Sequence, residues 1–236
     1  MRQMNNNLTI PLALLVLVWS GIVAAQSADS FPGVSTSAKT QSVQNKAEEL
    51  FEKRNYDRAF FIYRNELVPL GDKYSQYMIG FMYLTGKGVE PDRVTATAWY
   101  RLAAERGTRE FETVRDQLMA SLTPEQMAEC DRRFVELRKK HGDLAILMKA
   151  IRADFEALSS RTGTRLGSDS SAVTVIQLWG IGRTESGSVY YGKIEDRLQA
   201  RLDYISKYTQ VEIRDLDSMN LLSIERLVNE RLEVLE

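Results

Sequence analysis

The chain has little of two residue types on which many catalytic and metal-binding sites depend. Its 236 residues include one cysteine, Cys130, and one histidine, His141, so neither an intramolecular disulfide nor a multi-histidine metal site can form. It also lacks an excess of charge, because 31 Lys and Arg stand against 32 Asp and Glu. That balance gives no electrostatic case for binding nucleic acid. We therefore expect no metal, no cofactor and no nucleic-acid partner.

The N-terminus has the pattern of a secretory signal peptide. Arg2 supplies the positive charge, residues 12–18 are apolar throughout, and small residues end at Ala25 in a typical cleavage site. The apolar core is short for a membrane span, and an uncleaved anchor is the alternative. Because small extracellular domains usually carry disulfides, an exported chain with one cysteine favours the periplasm of a Gram-negative bacterium. We predict cleavage after residue 25, which leaves no stable membrane anchor.

Composition divides the rest of the chain into four segments. Residues 26–41 are rich in Ser, Thr and Ala and predict a flexible tether. Residues 42–158 follow helical spacing almost throughout, which predicts a helical domain. Residues 159–171 have almost no apolar content and predict a linker. Residues 172–236 mix strand-like and helical patterns, so we expect a small α/β unit there.

The predicted α/β unit consists of three strands and two helices. Apolar runs at 173–178 and 189–191 flank a glycine-rich turn and predict two strands of a hairpin. A third strand is expected at 211–213. Apolar residues recur at helical spacing at 194–205 and again from Leu221 to the end.

The most specific pattern lies between Ser75 and Gly107. Gly86-Lys87-Gly88-Val89, Ala98-Trp99-Tyr100 and Ala103-Ala104-Glu105-Arg106-Gly107 follow one another in this order. The segment resembles a Sel1-like repeat, a helix–loop–helix unit related to the tetratricopeptide repeat. The preceding 47–69 resembles a diverged repeat without the Gly-x-Gly loop. The resemblance implies a mainly α fold, in which Sel1-like helical pairs form an array before the C-terminal unit.

Several residues of this segment are expected to pack or turn the repeat, because small residues allow close helix approach and aromatic residues fill the seam. These residues are Gly80, Tyr83, Gly86, Gly88, Val89, Ala98, Trp99, Tyr100, Ala103, Ala104 and Gly107.

The resemblance also implies function through a surface, because proteins of this family generally act as adaptors or scaffolds. In related arrays the first helix of each pair lines a concave face. Here that implies a protein-binding face that includes Lys73, Tyr74, Gln76 and Tyr77. The alternative is that these four residues are merely a solvated surface.

The sequence contains few residue pairs that could act as catalytic groups. Cys130 and His141 lie eleven residues apart on one predicted helix, roughly 16 Å along its axis, which is too far for a hydrogen bond. We expect Cys130 to be buried and His141 to be exposed at the helix end. The carboxylate pairs Asp154 with Glu156 and Asp215 with Asp217 are weak signals alone.

The sequence therefore predicts a non-enzymatic periplasmic scaffold that binds an envelope or secreted protein through its helical repeats. Two alternatives remain open. One is a hydrolase or lyase that uses carboxylates on cell-wall or polysaccharide substrates. The other is an inhibitor or immunity protein that blocks a secreted toxin.

Overall fold

The computed structural model describes most of the chain after the predicted signal peptide. The described residues are 31–33, 38–159, 174–176, 184–209 and 221–234. They are mostly helical, as the sequence predicts. The predicted signal peptide, residues 1–25, lies outside them. Within the described ranges, every helix is too short or too polar to span a bilayer.

The first helical pair starts earlier than its predicted boundary. Helix α1 (Ala38–Glu52) begins within the segment predicted as a tether, and it buries residues 47, 50 and 51 on one side. Helix α2 (Tyr56–Ile62) continues into a π-helical turn (Tyr63–Leu67) and a 3₁₀ turn (Val68–Leu70). Gly71 then ends the pair with a φ of 78°, a backbone conformation that glycine adopts without strain.

The second pair is delimited by caps that its sequence supplies. Helix α3 (Lys73–Thr85) begins after Asp72, whose side chain accepts a hydrogen bond from the Ser75 amide at 2.5 Å. Helix α4 (Arg93–Ala103) begins after Asp92, which accepts from the amides of Val94 and Thr95 at 3.0 Å each. These caps satisfy amides that have no partner within their own helix.

Three further helices follow the second pair. They are α5 (Arg109–Ala120), α6 (Pro124–His141) and α7 (Asp143–Ser159). Helix α6 opens with a capping box, in which Thr123 and Gln126 bond to each other's backbone amides. Gly142 separates α6 from α7, so the chain turns there without a loop.

The predicted α/β unit is not supported, because the described residues after 171 are mainly helical. Strand β1 (Thr174–Ile176) pairs antiparallel with β2 (Thr184–Ser186) over three residues each. Helices α8 (Gly187–Thr209) and α9 (Leu221–Val234) make up the rest.

The predicted strand at 189–191 is wrong, because these residues lie in the first turns of α8. Val189 is exposed there, so the run has no buried strand face, and the packing of the helix outweighs its β propensity. The expected third strand at 211–213 falls outside the described residues. The domain boundaries stay a prediction.

Two hydrophobic cores organise the helices. The first core joins α1 to α6 around Tyr63, Ile79 and Leu102. The second joins α7, α8 and α9, and it includes Phe31 from the N-terminal segment. Helix α7 therefore packs with the C-terminal helices, although the sequence prediction grouped it with the repeats.

Candidate interaction site

Three of the four residues predicted to face a partner lie in the protein interior. Lys73 is 6% exposed, Gln76 is fully buried and Tyr77 is 4% exposed, whereas Tyr74 is half-buried. The Gln76 side-chain amide donates to the His141 backbone carbonyl at 3.1 Å, because the end of α6 covers this side of α3. The prediction that these residues line an open concave face is therefore wrong for Lys73, Gln76 and Tyr77.

Lys73 is the centre of a buried ionic cluster. Its Nζ lies 2.7 Å from Glu105 and 3.1 Å from Asp143, and it donates to the Leu102 carbonyl at 2.9 Å. The guanidinium of Arg106 adds two hydrogen bonds to Asp143, at 2.8 and 2.9 Å. Burial by itself would raise the pKa of Asp143, but Lys73 and Arg106 outweigh it and lower that pKa. The cluster fixes the start of α7 against the repeat.

Tyr77 belongs to an aromatic seam inside the repeat. Its ring stacks on Phe111 and meets Tyr100 edge-on, with ring centres 4.9 Å apart in both pairs. The hydroxyls of Tyr77 and Tyr100 are both buried within the repeat. Burial raises the pKa of Tyr77 to about 12, so both rings remain neutral.

The glycines of the repeat lie where a side chain would collide or be strained. A Cβ on Gly80 would lie 3.1 Å from the Tyr100 ring, which shows how closely α3 and α4 approach. Gly88 has a φ of 74°, and a Cβ there would lie 2.7 Å from the Tyr56 carbonyl carbon. Gly86 and Gly107 also have positive φ at helix ends.

The aromatic and small residues of the predicted repeat pattern lie in or beside the first core. Trp99, Tyr100, Ala103 and Ala104 belong to its buried part, and Tyr83 and Val89 pack against it. Ala98 is also fully buried. These side chains are therefore placed for packing between helices.

Cys130 and His141 do not form a catalytic pair. Both lie on α6, and the Cys130 sulfur is buried 3.7 Å from the Arg101 guanidinium, as expected for a packed thiol. Burial raises the pKa of the Cys130 thiol, which opposes nucleophilic use. The expectation of an exposed His141 is wrong, because its ring is half-buried and stacks on Trp99 at 5.9 Å.

The predicted carboxylate pairs also lack a catalytic arrangement where they are described. Asp154 is buried and bonded to Arg197 at 2.6 Å and to Arg201, so two cations neutralise it. Glu156 is exposed on the same helix. Asp215 and Asp217 lie outside the described residues. No group of three or more metal-ligating side chains occurs in the described part of the chain.

A different surface carries uncompensated charge. We call it the acidic face, and define it as Glu48 and Glu52 of α1, with Asp72 and Tyr74 at the start of α3. Gln44 of α1 donates to the Asp72 carboxylate and so joins α1 to the start of α3. None of these three carboxylates has an ion-pair partner among the described residues.

The electrostatics of the acidic face are unfavourable in the free protein. Burial raises the pKa of Glu48, and the charges of Glu52 and Asp72 raise it further. The buried Tyr63 hydroxyl beneath the face has no hydrogen-bond partner in the described structure. Its pKa is raised by burial first, then by Tyr74 and by the same carboxylates. The i, i+4 spacing of Glu48 and Glu52 was the one available sequence signal, and exposed acidic pairs on helices are too common to single it out.

Comparison with known proteins supports the helical-repeat assignment. Helices α3 and α4 with their connecting loop define the class: a helix–loop–helix repeat. The Sel1 repeat family matches residues 73–108, the same segment, so the chain contains a Sel1-like repeat. No curated protein and no solved structure matches the chain.

Proposed function

We propose that the protein is a non-enzymatic scaffold of the bacterial periplasm that binds a protein partner through its helical repeats. Sel1 repeats are generally protein-interaction modules, which supports the coarser part of this function. The signal-peptide pattern of residues 1–25 supports export. The predicted partner residues of α3 are mostly buried, so the contact surface must lie elsewhere on the repeats.

The observation that carries the proposal is the uncompensated charge of the acidic face. Glu52 is exposed, Glu48 and Tyr74 are half-buried, and Asp72 is buried beside them as the N-cap of α3. No cation of the described residues pairs with the carboxylates of Glu48 and Glu52. Mutual repulsion of this kind costs stability, and proteins retain such arrangements where binding needs them. A partner with exposed Lys or Arg side chains would neutralise the charge and stack on the Tyr74 ring.

Capture from cross-linked periplasm tests the proposal. The double variant Glu48→Gln, Glu52→Gln removes two charges from the acidic face, and the matched control Glu136→Gln, Glu156→Gln removes two from exposed positions of α6 and α7. We expect a stoichiometric protein partner with the wild type and the control, and at least a tenfold loss with the acidic-face variant.

Two results would contradict the proposal. One is equal recovery of the partner by both double variants, which would remove the acidic face as the contact. The other is recovery of the wild-type chain with no protein partner. Thermal unfolding provides the fold control: because like charges repel, the acidic-face variant is expected to be at least as stable as the wild type.

A further inference from the structure

The short N-terminal segment 31–33 occupies the junction between the two cores. Phe31 is 7% exposed and belongs to the second core. Its ring also contacts Arg106 of the repeat. The sequence predicted a flexible tether here, because the segment is rich in Ser, Thr and Ala and contains Pro32 and Gly33. The buried position of Phe31 shows a specific contact instead.

Groups from both sides of the junction hold the Phe31 ring. The Arg106 guanidinium carbon lies 3.8 Å from the ring centre, a cation–π contact, while the same guanidinium bonds to Asp143. On the other side, the Tyr204 ring of α8 meets Phe31 edge-on at 5.4 Å. Phe31 therefore bridges the repeat and the C-terminal helices.

The backbone after Phe31 is bound as well. Arg201 Nε donates to the Pro32 carbonyl at 2.9 Å. The other Arg201 contacts, to the Ala150 carbonyl at 3.1 Å and to the Asp154 carboxylate, fix the guanidinium in a buried position. A fixed, buried donor of this kind gives the site a specific requirement for a carbonyl group one residue after the aromatic side chain.

Two glycines make room for this arrangement. A Cβ on Gly71 would lie 3.4 Å from the Phe31 ring and 3.1 Å from Ile146. A Cβ on Gly33 would lie only 2.3 Å from the same ring, because the segment turns back over its own phenylalanine. The site thus accepts an aromatic residue followed by a compact Pro-Gly turn.

We infer that the junction is a peptide-binding site for an aromatic side chain and the carbonyl that follows it, and that the chain's own Phe31–Gly33 segment is its resident ligand. The site consists of Gly71, Arg106, Ile146, Arg201 and Tyr204. Because its walls come from both cores, an occupied site holds the C-terminal helices against the Sel1 repeat. This function is separate from the acidic face.

Peptide rescue of a full-length variant tests the inference. Phe31→Ala vacates the site, and we expect its melting temperature to fall by about 10 °C, because a buried phenylalanine is lost from the contact between two cores. Phe61→Ala is the matched control, since Phe61 is 60% exposed and its loss should leave the melting temperature unchanged.

The probe is a synthetic peptide with the sequence of residues 26–37, QSADSFPGVSTS. We expect it to bind Phe31→Ala saturably and to restore part of the lost melting temperature. Wild-type protein should bind it at least tenfold more weakly, because the resident segment competes at high effective concentration. The same peptide with alanine in place of phenylalanine should not bind.

A wild-type melting temperature for Phe31→Ala would overturn the inference. So would a peptide that binds neither chain, or equal binding of the phenylalanine and alanine peptides. If Phe31→Ala does not fold, Phe31→Leu takes its place, since leucine keeps an apolar side chain in the site. If the phenylalanine peptide raises the melting temperature of Phe31→Leu and the alanine peptide does not, the inference is supported. If neither peptide raises it, the inference is overturned.

Discussion

Replacing Lys73 by methionine tests whether this residue is part of the interior or part of a binding surface. Methionine keeps most of the apolar stem and removes the ammonium group. Glu105 then loses the cation 2.7 Å away, and the Leu102 carbonyl loses a donor at 2.9 Å. Asp143 keeps the two hydrogen bonds from Arg106.

The expected loss of stability follows from these partners. Removing one member of a buried ion pair leaves an uncompensated charge and costs about 3 to 5 kcal/mol. Since Asp143 remains paired, we expect the lower end, about 3 kcal/mol, for Lys73→Met. For a chain of this size the melting temperature should fall by about 6 to 12 °C.

Urea unfolding followed by circular dichroism measures the effect. Lys53→Met is the control, because Lys53 is exposed just after the end of α1 and its ion pair is with Glu49 of that helix. Its loss should leave stability near wild type. Adding Glu105→Gln to Lys73→Met should recover at least about 1 kcal/mol relative to the sum of the single changes. Equal stability of the Lys73→Met and Lys53→Met chains, or full additivity of Lys73→Met and Glu105→Gln, would refute the buried cluster.

Further predictions concern a glycine, the histidine and the cysteine. Gly88→Ala should lower the free energy of unfolding in urea more than Gly107→Ala does. Both glycines have a positive φ, but only a Cβ at position 88 would meet a neighbouring backbone atom, at 2.7 Å, and nothing lies within 4 Å of one at position 107. Equal losses would contradict the close approach at Gly88. Burial and the nearby cations Arg64 and Lys140 lower the pKa of His141, so the unfolded chain takes up its proton first. Stability should therefore be lost as the pH falls below about 6.5, and His141→Gln should lose less between pH 7 and 5.5; an unchanged pH dependence would contradict this. Cys130 should be alkylated by iodoacetamide only at the rate of unfolding, and fast labelling of the native chain would contradict its burial.

The repeat was the part of the fold that the sequence could predict best. Gly86, Gly88 and the aromatic positions of α4 have local backbone or packing reasons, so they are visible in one segment of about 35 residues. The caps at Thr123 and Pro124 also mark the start of α6 from neighbouring residues alone.

The burial of the predicted site could not be predicted in the same way. Whether Lys73 and Gln76 face solvent depends on the end of α6 and the start of α7, which lie more than 60 residues further along the chain. The match to the repeat does not extend to those helices. A polar residue at helical spacing looks the same in sequence whether it meets water or a buried partner.

Position 189 and Phe31 show two other limits. Val189 lies in a run of β-formers, yet it is exposed in the first turn of α8. The later residues Leu198, Leu202 and Ile205 of that helix pack in the second core. Phe31 stands alone in a polar segment, so no periodicity marks it as part of a core. Both outcomes depend on contacts between distant parts of the chain.

The proposed contact between the acidic face and a basic protein partner depends on charge, so salt should change its strength. The most direct measurement is the affinity of the captured partner for the wild type, the Glu48→Gln, Glu52→Gln variant and the Glu136→Gln, Glu156→Gln control, at low and at high salt. Salt should weaken binding of the wild type and the control. At low salt the acidic-face variant should bind at least tenfold more weakly than the wild type, and its affinity should depend less on salt. Equal affinities for all three chains at low salt would contradict the proposed contact.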